Sequence, residues 1–308
     1  MTGKNKESPI FSFDTSGKLF KLAGEIKTRI PESQQLYQGN PEIVPDIMKH
    51  IFSGFDFSKF EEPTQVYRLL KRTNKHLKRL DLSCFNDSIT TKTVIATLSM
   101  AYRTSHPLAV NRTKKEMVDV LIQAKKHLST NELSIIDIGY GPGTVSMILY
   151  DLAKEIGLRP SLTGIDSSSV HQAIANHLYP PQKYDVNWTN GNGVNFNPQL
   201  QNRFQVGTAF DVGHHLNPDN YRTMVNNLLD YTSGEVLITD PTNNRLAQFI
   251  VSRITSRDKI HDEAVSSYTA AYSRYDLANF FGEIMKNNQR QPEVKILNTG
   301  FMNIIRLR

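Results

Sequence analysis

The chain has 308 residues, 39% apolar and 21% charged, with a net charge of +6 and one cysteine, Cys84. That composition describes an ordinary globular chain, long enough for one large domain or two modest ones, and it excludes an intrachain disulfide. No apolar run approaches the roughly 20 residues that span a bilayer, and the opening MTGKNKESPIFSF lacks the apolar centre of a secretion signal. The expectation is a cytoplasmic protein with no membrane partner.

The charge is uneven. Residues 1–130 hold 21 Lys+Arg and 13 Asp+Glu, leaving 15 and 17 of the totals of 36 and 30 for residues 131–308. The basic character therefore belongs to the first part, which invites an acidic or nucleic-acid partner.

In chain order, residues 1–40 are polar and turn-rich. From 41 to 128 the texture is helical. Met48, Ile51 and Phe52 share a face, as do Val66, Leu70, Leu77 and Leu80; segments 88–103 and 112–128 follow, separated by Pro107. The 66–80 segment carries Arg68, Lys71, Arg72, Lys75, Lys78 and Arg79. A solvated amphipathic face is its default reading, and contact with RNA phosphates or an acidic carrier is the alternative. Tyr102 and Arg103, in AYRTSH, end the third helix. A surface role is their default, and covering a ligand carboxylate is the alternative.

From residue 134 β-rich runs alternate with helical patterns. Strands are expected at 134–139, 161–166, 184–189, 203–210 and 235–240, and helices at 145–156, 168–178 and 219–230. Such alternation predicts a parallel sheet covered by helices, with ligands at the C-terminal strand edge. Tyr268, Tyr272 and Tyr275 stand at i, i+4 and i+7, a spacing used more often for packing than for a substrate wall. A helix over 276–287 precedes VKILNTGFMNIIRLR, which reads as two strands around Asn298-Thr299-Gly300; so short a link permits only antiparallel pairing.

The densest signal is IIDIGYGPGTVS, residues 135–146. Glycines cluster where the backbone needs freedom or close approach, and here they sit between a strand and a helix. That arrangement offers backbone N–H groups to a ligand at a positive helix N-terminus. A dinucleotide fingerprint would read G-x-G-x-x-G; from Gly139 the chain reads G-x-G-x-G, with Thr144 at the sixth position. The register disfavours NAD.

DIGYGPG resembles the first motif of class I S-adenosylmethionine-dependent methyltransferases, D-x-G-x-G-x-G. TGIDSSS resembles that family's second strand with its ribose-binding acid, RFQVGTAFDVGHHL its fourth-strand segment, and GEVLITDP its fifth strand, in the family's order over about 131–308. The resemblance implies a Rossmann-like, doubly wound α/β fold: a seven-stranded, mostly parallel sheet ending in an antiparallel C-terminal hairpin. With it comes a division into a helical cap or substrate region, 1–130, and an S-adenosyl-L-methionine-binding domain, 131–308. It also implies that Asp137, Gly139, Tyr140, Gly141 and Gly143 form the cofactor turn. Asp166 with Ser167 would meet the ribose, and Phe210 would lie beside the cofactor. Gln205 stands where the family often has Asp, and Ser233-Gly234 replaces its proline-glycine. No acid follows the third strand, so Asn190 and Asn192 become the candidates for the adenine amino group; an ordinary turn is their other reading.

Methyl transfer from a sulfonium needs alignment, desolvation and, for a protonated hydroxyl or amine acceptor, a base. Asp211, His214 and His215 follow the fourth strand and are the candidates. Histidine titrates near neutrality, though both rings could simply pack the loop. The spacing of these three matches no firm metal signature, so no metal is expected. No aromatic–glycine RNA signature is present, and Asp211-Val-Gly-His occupies the place of the Asn-Pro-Pro-Tyr-like motif of many base-amino methyltransferases. The expected activity is O- or N-methylation of a small metabolite, with a homodimer as the candidate assembly. An RNA or protein methyltransferase, or a non-catalytic binding module, remain the alternatives.

Overall fold

The computed structural model describes residues 107–242, 274–287, 293–298 and 302–307. The helices expected before residue 107 lie outside them. So do the basic 66–80 segment, Tyr102, Arg103, Tyr268, Tyr272, Thr299 and Gly300, and the side chain of Tyr275.

Helix α1, Pro107–His127, is followed by β1, Glu132–Ile138, and α2, Thr144–Glu155. Then come β2, Arg159–Asp166, α3, Ser169–Leu178, β3, Val186–Asn190, and β4, Phe204–Phe210. Helix α4, Pro218–Tyr231, β5, Thr232–Pro241, α5, Arg274–Asn287, β6, Val294–Asn298, and β7, Met302–Leu307, complete the order. Pro107 is the first residue of α1, where its missing N–H breaks no helical bond. Asn217 caps α4 by accepting the Asn220 N–H at 2.8 Å, and Ser168 caps α3 from the His171 N–H at 3.2 Å; such caps stabilise a helix by about 1 kcal/mol.

The sheet has the order β3-β2-β1-β4-β5-β7-β6. Pairings β3-β2, β2-β1, β1-β4 and β4-β5 are parallel, and β7 runs antiparallel to both β5 and β6. This is the expected seven-stranded sheet with its antiparallel hairpin. The strand order reverses direction between β1 and β4, which opens a crevice at their C-terminal ends.

Alternation along the strands divides the core. Ile135, Leu162, Trp188, Val206 and Leu237 join Val120 and Leu121 of α1, Leu149 of α2 and Ile174 of α3 on one face. Ile136, Ala209, Val236, Ile238 and Ile305 join Leu228 of α4 and Phe281 of α5 on the other. Neighbouring Ile135 and Ile136 thus serve opposite layers, the period-2 signature of a sheet buried on both faces. The core extends upstream of residue 130, because α1 packs into it. Two departures from the family pattern have local accounts. Gln205 Oε1 accepts the Ser134 N–H at 2.8 Å, tying β4 to β1. Ser233-Gly234 sits where the β4–β5 register shifts, and a Cβ on Gly234 would strike the Gln205 carbonyl.

Candidate active site

The C-terminal ends of β1, β2 and β4 converge on the glycine turn. Gly139, Gly141 and Gly143 take φ values of 75°, 55° and 78°, all in the left-handed region. Gly143 is the N-cap of α2, so the turn delivers the chain directly to a helix N-terminus. Among the described residues, nothing lies within 4 Å of where a Cβ on Gly141 would stand. The turn therefore presents bare backbone to open space.

Asp166, at the end of β2, faces this turn. Its Oδ2 accepts the Gly141 N–H at 2.9 Å; its Oδ1 accepts the Ser168 N–H at 2.8 Å and lies 3.1 Å from His171 Nδ1. Ser168 and His171 escaped the sequence reading, which named Ser167; that residue is exposed. An Asp followed at i+2 by a helix-capping serine and at i+5 by a histidine on the first turn was a usable signal. Replacing Asp166 by Ala is expected to weaken cofactor binding at least tenfold, since charge-assisted hydrogen bonds contribute roughly 1.5–3 kcal/mol. Calorimetry checks it, and wild-type affinity would place the ribose elsewhere.

Asp137 is 1% exposed, and both its oxygens are used internally. One accepts the Ser146 hydroxyl, from the first turns of α2, and the other the Thr208 hydroxyl of β4 at 2.8 Å. It braces β1, α2 and β4 beneath the turn. Burial pushes its carboxyl up to about 7, the Ser146 and Thr208 bonds oppose that, and the nearby Asp166 adds to it.

Tyr140 is buried with its ring 4.8 Å from Trp188, and its hydroxyl has no partner among the described residues. Burial, reinforced by Asp166, pushes this phenol upward. Trp188 was read only as part of a strand; β3 lies beside β2, and that placement brings its indole under the turn, where Nε1 donates to the Tyr179 carbonyl at 3.0 Å. The two asparagines are engaged locally. Asn190 Nδ2 donates to the Asp166 carbonyl at 3.4 Å, and Asn192 Oδ1 accepts the Val194 N–H at 3.0 Å in an Asx-type turn. Phe210 is 7% exposed at the end of β4 and packs with the α1–α3 core layer.

Beyond Phe210 the chain turns sharply. Asp211 has φ 57°, and its N–H donates to the Thr239 carbonyl of β5 at 2.7 Å. Its Oδ1 is enclosed without a partner among the described residues, and burial, then the charge of Asp240, pushes its carboxyl up to about 7 against the opposing pull of His214. His214 is buried and His215 exposed at one side, their rings 3.9 Å apart. Burial and then His214 push the His215 imidazole below its ordinary value; Asp240 opposes this and His171 adds to it. Asp240, read from the sequence only as the end of a strand, lies at the end of β5 and contacts His214. Among the described residues no group of three or more His, Cys, Asp or Glu is placed to hold a metal ion, and no helix is long and apolar enough to cross a membrane.

No protein-family model matches the chain, and no curated protein matches it in sequence. Solved structures do match. The plantazolicin methyltransferase BpumL, in complex with a triazolic desmethylPZN analog and SAH, superposes with a TM-score of 0.54 at 18% identity, covering 79% of this chain and 98% of that one. BpumL with a monoazolic analog and SAH gives 0.52 at 19% identity over 78% and 99%. The plantazolicin methyltransferase BamL, with the triazolic analog and SAH, gives 0.53 at 12% identity over 79% and 99%.

Proposed function

Because this chain has the fold of class I S-adenosylmethionine-dependent methyltransferases, we propose that it binds S-adenosylmethionine and methylates an oxygen or nitrogen of a small-molecule acceptor. The observation that carries this reading is the opposition of Gly141 and Asp166. A backbone turn with open space above it among the described residues lies against a buried carboxylate on the neighbouring strand, at the point where the sheet reverses. The residues fit the cofactor. The turn 139–143 would hold its amino-acid portion, and Asp166 would exchange its bond from Gly141 for ribose hydroxyls. The aromatic floor of Tyr140 and Trp188 would flank the site. When bound, the cofactor supplies an activated methyl on a sulfonium leaving group.

The protein's own contribution is to align the acceptor, exclude water and receive a proton. Asp211, His214 and His215 sit on the loop after β4, at the same sheet edge. SAH in the structurally similar plantazolicin methyltransferases supports the cofactor assignment. Calorimetry with S-adenosylmethionine and with NAD tests it: binding of the first alone is expected, and binding of NAD alone would sink it. Transfer of tritiated methyl into cell extract, fractionated by size, tests the acceptor class. Label in the low-molecular-weight fraction is expected.

The basic first 130 residues favour one second reading, RNA as acceptor. Neutralising Lys71, Arg72 and Lys75 together is expected to leave small-molecule methylation unchanged. Were RNA the acceptor, the same triple variant would lose binding and flatten its salt dependence by about two to three units of slope, at ~0.7–0.9 per phosphate contact. Filter binding at two salt concentrations separates the outcomes.

A further inference from the structure

The loop after β4 contains two histidines, and the structure treats them differently. Asp240, 1% exposed at the end of β5, meets three polar atoms. Its Oδ1 accepts the His214 backbone N–H at 3.2 Å and lies 3.0 Å from His214 Nδ1; its Oδ2 accepts the Tyr221 hydroxyl at 3.2 Å. We propose that Asp240 is a positioning residue that holds His214, rather than His215, as the general base for methyl transfer, with Tyr221 of α4 fixing the carboxylate from behind. This rests on the methyltransferase reading above.

The geometry selects a tautomer. An ionised carboxylate only accepts hydrogen bonds, so the His214 ring nitrogen facing Oδ1 of Asp240 is a donor. Nδ1 therefore carries the proton, and Nε2 is left with its lone pair. The side chain is 4% exposed, and no described residue bonds Nε2, which is therefore the ring nitrogen left for a substrate in this proposal. His215 contacts no carboxylate among the described residues; its ring lies against that of His214 and limits its rotation.

The backbone is shaped for this contact. A Cβ at Gly213 would collide with Asp240 Oδ2 and with the Tyr221 ring, so glycine is what lets the loop close on the carboxylate. The bond from the His214 N–H would hold the loop without help. The ring bond adds an orientation that the loop itself does not require. Asp211, the neighbouring acid, has an enclosed Oδ1 with no partner among the described residues and a carboxyl pushed upward by burial and by Asp240. Two acids in different environments thus take different roles, one protonated more readily and one accepting three hydrogen bonds.

In the reaction the acceptor's lone pair forms a bond to the methyl carbon. The carbon–sulfur bond breaks with its electron pair remaining on sulfur. The acceptor's proton passes to Nε2 of His214, and Asp240 stabilises the resulting imidazolium. Bulk water later removes that proton.

Two measurements on the full chain test this. In the protein labelled with ¹⁵N-histidine, long-range ¹⁵N–¹H spectra are expected to show His214 protonated at Nδ1 and bare at Nε2. Asp240→Asn presents an amide to Nδ1 and is expected to shift the ring toward the Nε2–H form. A wild-type His214 already in that form, or a spectrum unmoved by Asp240→Asn, overturns the assignment. With tritiated S-adenosylmethionine and the unlabelled low-molecular-weight fraction of cell extract as acceptor, Asp240→Asn is expected to lower kcat by about 10²–10⁴ with both KM values nearly kept. Wild-type kcat in that variant overturns the proposal. Should Asp240→Asn not fold, Tyr221→Phe carries the kinetic test: loss of one hydrogen bond to a charged group is expected to reduce kcat by about tenfold, and full activity overturns it. Calorimetry separates the two levels: wild-type protein that does not bind S-adenosylmethionine defeats the methyltransferase reading, whereas binding with an indifferent Asp240 defeats this inference alone.

Discussion

Gly141→Val is expected to abolish S-adenosylmethionine binding in a protein that still folds. Among the described residues nothing lies within 4 Å of a Cβ at Gly141, so the valine side chain is directed into the volume assigned to the ligand. The φ of 55° adds strain, because L-residues in the left-handed region cost roughly 1–2 kcal/mol. The binding loss expected is at least about 100-fold, which is ~2.7 kcal/mol. Gly157→Ala is the matched control. Gly157 has φ 81° and lies beyond the end of α2, with Lys125 Nζ as its near neighbour, so it carries similar strain away from the turn. Its variant is expected to lose stability and keep affinity. Calorimetry and thermal melting on both variants make the comparison. Normal binding by a folded Gly141→Val protein would remove the glycine turn from the site.

A second large effect is expected at Asp137, and it concerns stability. Its folded carboxyl sits at about 7, against 3.8 for an unperturbed aspartate, because burial outweighs the bonds from Ser146 and Thr208. The folded state thus binds this proton more tightly than the unfolded chain does. The resulting stabilisation is complete below pH 4 and is lost progressively as pH rises to 7. Above that, a charged Asp137 is held in the core at a cost of up to about 4 kcal/mol, from roughly three units at 1.36 kcal/mol each. Asp137→Asn keeps the shape and an acceptor oxygen while never ionising. It is expected to raise unfolding free energy at pH 8 by an amount approaching that figure, with a small gain at pH 5. Urea unfolding at the two pH values measures the difference. An equal gain at both would mean that the charge of Asp137 is not what the core resists.

The parts legible in the sequence are those specified locally. The run IIDI, the glycines after it and the apolar spacing of α2 lie within a few residues of one another, so strand, turn and helix could be placed without a partner. The hairpin was legible because a short link leaves one geometry. Asp240 was not, because its role depends on His214, 26 residues away, and on the parallel register that sets Phe210 beside Thr239. Asp137 was legible as a motif residue, but its two hydroxyl partners stand 9 and 71 residues away, and only the assembled sheet turns its oxygens inward. The asparagines after β3 were ambiguous in sequence because an Asx turn and a ligand contact use the same side chain.

The position of β7 constrains how the molecule is made. It comes last of the seven strands in sequence yet lies inside the sheet, between β5 and β6. From synthesis of Pro241 until Met302–Leu307 emerges from the ribosome, β5 holds a row of unpaired N–H and carbonyl groups along a strand whose 235–241 segment is buried in the finished fold. Such an edge is a template for pairing with another nascent chain. Sheet closure is therefore a late event in biogenesis. A polysome translating this message carries its greatest aggregation hazard between the two strands, where chaperone capture has most to protect.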